Sequence, residues 1–344
     1  MKTFPAWFKY LSSIIFAVVS VFFGIGIGSV FIPPDEILSI IFGEIFGLNL
    51  PKSITEMLKA IVLNVRLPRA LSAFLVGAGL SAGGAVMQSV LANPLASGYT
   101  LGVSSGASLG VTIVVFFGVT LSFAEMLTLP IMGFVFGLGS VFIALSVAAK
   151  FDRNAGNSAI ILIGMVMSLF INAIVTLLMG INREAAKSVI YWQMGSFSGV
   201  NMNAVIIIFP ITFIIILLLI RYSRAMDIMT FGDEQALSLG VNVKATKILL
   251  LTLSAALTGV AVAFVGAIGF IDLIAPHAAR KIFCSKHKTV IPMSALMGGG
   301  FMVISDLLAR TVISPSELPV GAVTAIIGAP VFAYIFLKRS KNHA

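Results

Sequence analysis

Few residues in this chain have types and spacings that could do chemistry. The stretch Thr230–Val243, TFGDEQALSLGVNV, is a polar island between the uncharged stretches Val205–Ile220 and Ile248–Ile271. It holds Asp233 and Glu234 and is bracketed by Arg221, Arg224, Lys244 and Lys247. Its spacing predicts a short helix. Asp233 would cap it, Glu234 would suit its positive end, and Gly240 would supply a left-handed stop. Such a helix suits docking of another protein, although an ordinary polar loop that is helical has the same spacing. Two further carboxylates, Asp272 and Asp306, lie within or near apolar stretches, where a charge is costly and is usually functional or paired. Asp306 stands four residues before Arg310, the spacing of a same-face ion pair, whereas Asp272 has no local partner. His277, after Pro276, and the single cysteine, Cys284, have no second His or Cys near enough to form a metal site. There is no G-x-x-x-x-G-K-[ST] loop and no nucleophile–base set. If ATP drives this protein, another subunit binds it, and no catalytic or cofactor-holding residue is assigned to this chain.

Composition explains what must position these residues. Of 344 residues, 59% are hydrophobic and only 10% charged, with a mean hydropathy of +1.09. Soluble domains carry about 25% charged residues. The chain therefore reads as an all-α, polytopic membrane protein, a single transmembrane domain over residues 1–344. The net charge of +9 reflects cytosolic loops and lipid headgroups, not nucleic acid.

Ten spans account for the apolar runs. The first, Leu11–Ile32, is 22 residues without charge, enough to cross a bilayer. PPDEILSIIFG then predicts an amphipathic interfacial helix. The 55 uncharged residues Ala70–Ala124 fit two spans with a break at Asn93–Gly98. Non-helical backbone at membrane depth needs protein or a watery cavity around it. This break therefore reads as lying beside a translocation path, with a plain interfacial turn as the alternative. Gln88, Asn93 and Pro94 are path candidates, and the Asn157–Ser158 step is a gate candidate. Spans 4 to 10 follow as Met126–Ala149, Ser158–Ile181, Asn203–Ile220, Ile248–Gly269, Gly269–Arg280, Thr289–Ala309 and Pro319–Leu337. With both termini inside, fifteen of the 22 Lys and Arg residues fall on the cytosolic side, as the positive-inside rule requires. The island is then cytosolic. Leu71–Ala96 and Leu251–Pro276 echo each other as small-residue spans running into a proline, a pattern that suits an inverted repeat.

The chain resembles the FecCD-type permeases, the membrane subunits of ABC importers for ferric siderophores, haem and cobalamin. The resemblance rests on Arg66-Leu-Pro-Arg69, Gly83-Gly-Ala-Val-Met-Gln88, Asn93-Pro-Leu-Ala96 and Leu101-Gly-Val-Ser-Ser-Gly-Ala107. It continues through Gly232-Asp-Glu…Ser238-Leu-Gly-Val241, Gly269-Phe-Ile, Pro276-His277…Arg280, Asp306-Leu-Leu-Ala-Arg310, Glu317-Leu-Pro-Val-Gly321 and Gly328-Ala-Pro-Val331. It implies a type II ABC importer permease of about ten transmembrane helices in a bacterial cytoplasmic membrane, with both termini cytosolic. The implied partners are a cytosolic ABC ATPase dimer, which binds ATP and Mg, a second permease subunit, and an extracytoplasmic substrate-binding protein. It also implies a coupling helix over about residues 231–241, engaging the ATPase through Gly232, Asp233, Glu234, Leu237, Ser238, Leu239 and Gly240. Arg66, Arg69 and Arg310 match arginines that receive acidic side chains of the binding protein. The chain departs from the family at Asp272, where glycine is usual.

The function that follows is import of a ferric siderophore by alternating access, with haem or cobalamin as alternative cargo. An ion-coupled secondary transporter is the reading from another class. It would need paired carboxylates near mid-membrane and gives no role to a capped cytosolic helix.

Overall fold

The structure is a computed structural model that describes residues 5–341, except 29, 49–50, 52–53, 123 and 152–155; the side chains of 6 and 335–341 are also not described. Lys2, Lys52 and Arg153 of the charge count lie outside the described residues, as do the side chains of Lys338, Arg339 and Lys341.

The described residues contain helices and no strand. In chain order the helices are α1 (Ala6–Gly26), α2 (Pro34–Phe46), α3 (Glu56–Ile61), α4 (Leu67–Val90), α5 (Val103–Phe117), α6 (Thr128–Phe151), α7 (Asn157–Ile181) and α8 (Arg183–Gln193). They continue as α9 (Met202–Arg221), α10 (Ser223–Met229), α11 (Asp233–Ser238), α12 (Val243–Val265), α13 (Ile271–Ile282), α14 (His287–Thr311) and α15 (Val320–Lys341). Seven rods are long and apolar enough to cross a membrane: α1, the continuous rod Glu56–Val90, α6, α7, α9, α12 and α14.

The other three expected spans are shorter. Helix α5 has 15 residues, α13 has 12, and the described apolar part of α15 is Val320–Tyr334. Both α5 and α13 are short because the chain before them is not helical, at residues 91–102 and 266–270. The second span also differs from expectation. It starts at Glu56, not Ala70, because a π segment, Val62–Arg66, joins α3 to α4. Pro68 has no N–H to offer the preceding turn, and the Leu67 N–H bonds back to Val62 instead, a π-type closure.

Helix α4 is the axis of the bundle. Its span is 83% buried, against 22% for α7. Helices α12, α13 and α14 pack directly on it, and small residues permit this. At Gly77 a side chain would strike the Gly298 carbonyl of α14, and at Gly84 the Asp272 carbonyl of α13, so the backbones meet with nothing between them. The two faces of the bundle are distinct. One carries Arg66 and Arg69 at the start of α4, with Arg310 at the end of α14. The other carries the end of α4, with α10, α11 and the start of α12. Helices α4 and α12 therefore run in opposite directions, each followed by a break and a short helix. The two stretches that echo each other in sequence, Leu71–Ala96 and Leu251–Pro276, thus begin on these antiparallel rods.

Candidate functional site

At the α11 face, α9 passes through α10 into the short helix α11. Gly232 stands at the N-cap position with φ +113°, and no side chain caps the helix. Asp233 is therefore not the expected cap. Its carboxylate turns away to the Lys247 ammonium of α12, at 2.6 Å. Lys247 is 1% exposed, and a buried ammonium needs oxygen partners. It takes Asp233 and, at 2.8 Å, the Asn157 side-chain oxygen at the start of α7. Gly240, φ +83°, ends α11. Its N–H bonds to the Leu237 carbonyl, and the Val241 N–H bonds to the Ala236 carbonyl. This pairing is the Schellman closure. Ala236 is buried, while Glu234, Ser238 and Gly240 face outward. Phe231, Leu237 and Leu239 are 75%, 59% and 67% exposed. A short helix pinned from below by a buried lysine thus presents three large apolar groups to the surroundings.

The path candidates separate into two places. Gln88 is buried and fully used. Its side-chain oxygen accepts from Arg280 at 2.6 Å, and its amide donates to the Asp272 carbonyl at 3.1 Å. It joins α4 to α13. Asn93 folds the turn after α4, its side chain accepting from the Leu95 N–H, with Pro94 and Leu95 exposed beyond it. Asn157 belongs instead with Lys247 and Asp233 beneath α11, and Ser158 beside it is exposed.

The two breaks are joined to each other. The Tyr99 hydroxyl in the first donates to the Ile268 carbonyl in the second at 2.7 Å and accepts from the Ile268 N–H at 2.9 Å. Gly98 has no room for a side chain, because Thr258 of α12 stands against it. Asp272, in the first turn of α13, is 2% exposed. Ser97 stands beside its carboxylate, whose Oδ2 has no partner among the described residues. Sequence spacing could not show this neighbour, since 175 positions separate it from Asp272.

At the opposite face, Arg69 holds Asp306 by three contacts of 2.9–3.1 Å and Glu317 by two of 2.8 and 3.0 Å. The expected Asp306–Arg310 pair is present only at 3.7 Å. Arg69, which lies 237 positions from Asp306, is the principal partner because its fork reaches both carboxylates. Arg310 donates to the Gly24 carbonyl. Arg66 donates to the carbonyls of Ile25, Gly26 and Val30 at 2.6–3.0 Å. The three arginines line one cavity of about 530 Å³, together with Glu317. The Arg69 hydrogen bond holds the Glu317 carboxyl below its ordinary value of 4.5.

Sequence reasoning did not single out Asp227, His287 or Ser89. The structure places them in one hydrogen-bonded line, with His287 Nδ1 2.6 Å from Asp227 and Nε2 2.6 Å from Ser89. A histidine beside two lysines in the sequence reads as an interfacial residue, and nothing local signals its partners.

These features define a polytopic membrane permease: a bundle with two non-helical breaks at its centre and a projecting helix on one face. The chain belongs to the FecCD transport family, whose model matches residues 16–338. It is 37% identical over 333 residues to the ABC transporter permease YvrB of Bacillus subtilis, covering 97% of this chain and 94% of that one. It is 31% identical to the molybdate import permease MolB of Haemophilus influenzae, covering 94% of each. It is 32% identical to the iron(3+)-hydroxamate import permease FhuG of Bacillus subtilis, covering 93% of this chain and 94% of that one. Its fold matches a metal-chelate type ABC transporter solved in an inward-facing conformation. That match has a TM-score of 0.81 and 30% identity, over 95% of this chain and 98% of the other. The chain is thus an ABC importer permease, and ATP hydrolysis resides in a separate subunit.

Proposed function

We propose that this permease imports a ferric siderophore, with α11 as the helix a cytosolic ATPase dimer grips. The observation that carries the coupling role is the exposure of Phe231, Leu237 and Leu239 on a helix fixed to α12 and α7 through Lys247. Exposed apolar groups clustered outside the membrane-spanning rods mark an interaction surface. The lysine anchor lets displacement of α11 reach two long helices without melting a loop. The excess of Lys and Arg on this face supports a cytosolic position, which would leave the arginine face to an extracytoplasmic binding protein.

Docking at that outer face takes a particular form. Arg66 and Arg69 are already held by carbonyls and carboxylates, while Arg310 keeps a buried Nε with no hydrogen-bond partner among the described residues, so a carboxylate arriving at Arg69 must exchange with an existing partner. Glu317 is the one to leave, since its side chain is 36% exposed, against 2% for Asp306. A second permease subunit, either a copy or a sister chain, would cover α7, whose Leu162, Leu169, Phe170 and Leu177 are exposed.

Iron chelates are favoured as cargo by the hydroxamate permease relative and by two Fe(3+)-citrate permeases of Bacillus subtilis, each 34% identical. Haem and cobalamin are the alternatives, the latter favoured by a cobalamin import permease of Halobacterium salinarum, 35% identical. Alternating access would bias the two arrangements of the bundle by differential binding of the nucleotide-loaded ATPase.

The test is reconstitution with the ATPase and binding protein. Leu237→Asp and Glu234→Arg should abolish co-purification of the ATPase while the permease stays folded. Uptake should follow for ferric siderophore and not for haem or cobalamin. Retained assembly in both variants would remove α11 from coupling, and uptake of another chelate would reassign the cargo.

A further inference from the structure

We infer that Asp227, His287 and Ser89 form the contact that passes motion of α10 and α11 to the inner end of α4, so that coupling reaches the central helix through one imidazole. The inference rests on the coupling role proposed for α11.

Asp227 lies on α10, whose last turn runs directly into α11. One of its carboxylate oxygens accepts two bonds from the same residue, the His287 backbone N–H at 3.0 Å and Nδ1 at 2.6 Å. His287 is the first residue of α14. Asp227 therefore satisfies a free N–H at the start of α14 from another helix, and its charge sits at the positive end of that helix. A displacement of α10 must carry the ring and the α14 terminus together. The other ring nitrogen, Nε2, lies 2.6 Å from the Ser89 hydroxyl in the last turn of α4. With Asp227 drawing the proton to Nδ1, Nε2 accepts from that hydroxyl.

The ring is 3% exposed, so it cannot swing aside without displacing packed neighbours. Ser89 is one residue past Gln88, whose carbonyl accepts the Asn93 N–H of the turn after α4. The line therefore starts at the helix that would meet the ATPase and ends one turn from the Asn93–Pro94 break. Helix α10 also packs on α4, with Met226 in the same buried cluster as Met87 and Val90, but among the described residues this is the one hydrogen-bonded line between them. The Lys247 anchor leads to α7 and α12 instead.

The three residue types at these separations also serve acyl transfer when a carbonyl reaches the serine. Here they join α10, α14 and α4, and their role is positioning.

The test uses the full importer, the permease assembled with its ATPase and binding protein in lipid discs. The readouts are ATPase co-purification, KM and kcat for ATP, and substrate moved per ATP hydrolysed. Ser89→Ala and His287→Phe should lower substrate moved per ATP by roughly two- to thirteen-fold, the factor one buried hydrogen bond is worth in an equilibrium. Co-purification and the KM for ATP should stay at wild-type values. Ser89→Thr and Asp227→Asn, which keep the hydroxyl and an acceptor oxygen, should restore most of the coupling. A purely structural role would give the same losses without that rescue. Unchanged substrate moved per ATP in Ser89→Ala, with assembly intact, overturns the inference. Labelling of Ser89 by a fluorophosphonate probe also overturns it, by showing a nucleophile. A wild-type chain that assembles with no ATPase overturns the coupling reading and this inference with it, a result distinct from losses confined to the variants.

Discussion

The two ends of α4 are held by opposite means. At its start, Arg69 binds two carboxylates, and Arg66 and Arg310 bind backbone carbonyls of α1 and the segment after it. Charge meets charge in a buried place, and removing one member leaves the other uncompensated. At its end, α4 meets an arginine with no carboxylate beside it: Arg280 of α13 donates to Gln88 and to the Ala85 carbonyl, Gln88 also bonds the Asp272 carbonyl, and Ser89 bonds His287 of α14. The neutral bonds are worth about 0.5–1.5 kcal/mol net and those from the guanidinium about 1.5–3, and breaking any of them strands no buried carboxylate. The first end suits a fixed frame, and the second suits a part that has to move. A transporter needs both on one helix, because a rearrangement has direction only against something that stays in place.

The largest expected effect is at the fixed end. Arg69→Met strands Asp306 in a buried site and should cost about 3–5 kcal/mol, read as a large fall in melting temperature in detergent. The double change Arg69→Met with Asp306→Leu should recover much of that loss. If Arg69→Met melted like wild type, the contrast between the two ends would be lost. Next comes Lys247→Met, which releases Asp233 and Asn157. It should cost about 1.5–3 kcal/mol, the range for hydrogen bonds to a charged group. ATPase assembly should weaken further still, because α11 loses its anchor. Leu237→Asp should leave the melting temperature within the scatter of a surface change, about 0.5 kcal/mol, and still remove ATPase binding. A marked loss of stability there would mean the side chain packs inward.

The smallest effect is that of pH on the Arg69–Glu317 pair. The Glu317 carboxyl titrates lower in the folded chain than in the unfolded one. Its contribution is therefore complete above pH 4.5 and is lost as pH falls through the lower folded value. Its partial exposure keeps this to a fraction of a kcal/mol. The melting-temperature gap between wild type and Glu317→Gln should hold from pH 7 down to about 4.5, its ordinary value, and narrow as pH falls below that toward the lower folded value. A gap that widened would contradict the pairing.

Periodicity and charge-free length made the rods legible, since an apolar run of 20 residues has few other uses. Small residues in Gly77–Gln88 announced close packing, and the structure shows it against α13 and α14. The polar island announced α11, because no other short segment is so sharply bounded. What stayed hidden depends on partners distant in sequence. Asp233 has the spacing of a cap, but a buried lysine on the next helix claims it. Gln88 has the chemistry of a pore residue, but Arg280 and the Asp272 carbonyl use it up. Asp306 pairs more closely with Arg69 than with its helical neighbour, because the fork of Arg69 also holds Glu317. The expected span Gly269–Arg280 coincides with α13 to within two residues at each end, but twelve residues are too few to cross a bilayer as a helix.

The link between the two breaks bears on the membrane as a barrier. Backbone groups that leave a helix at depth ordinarily recruit water, and a file of water across a bilayer conducts protons. Tyr99 fills both needs of Ile268 with one hydroxyl, so this part of the permease can depart from helix without a standing leak. A phenylalanine there would expose two hungry groups at once, and its cost would show first in a cell's ability to hold its proton gradient.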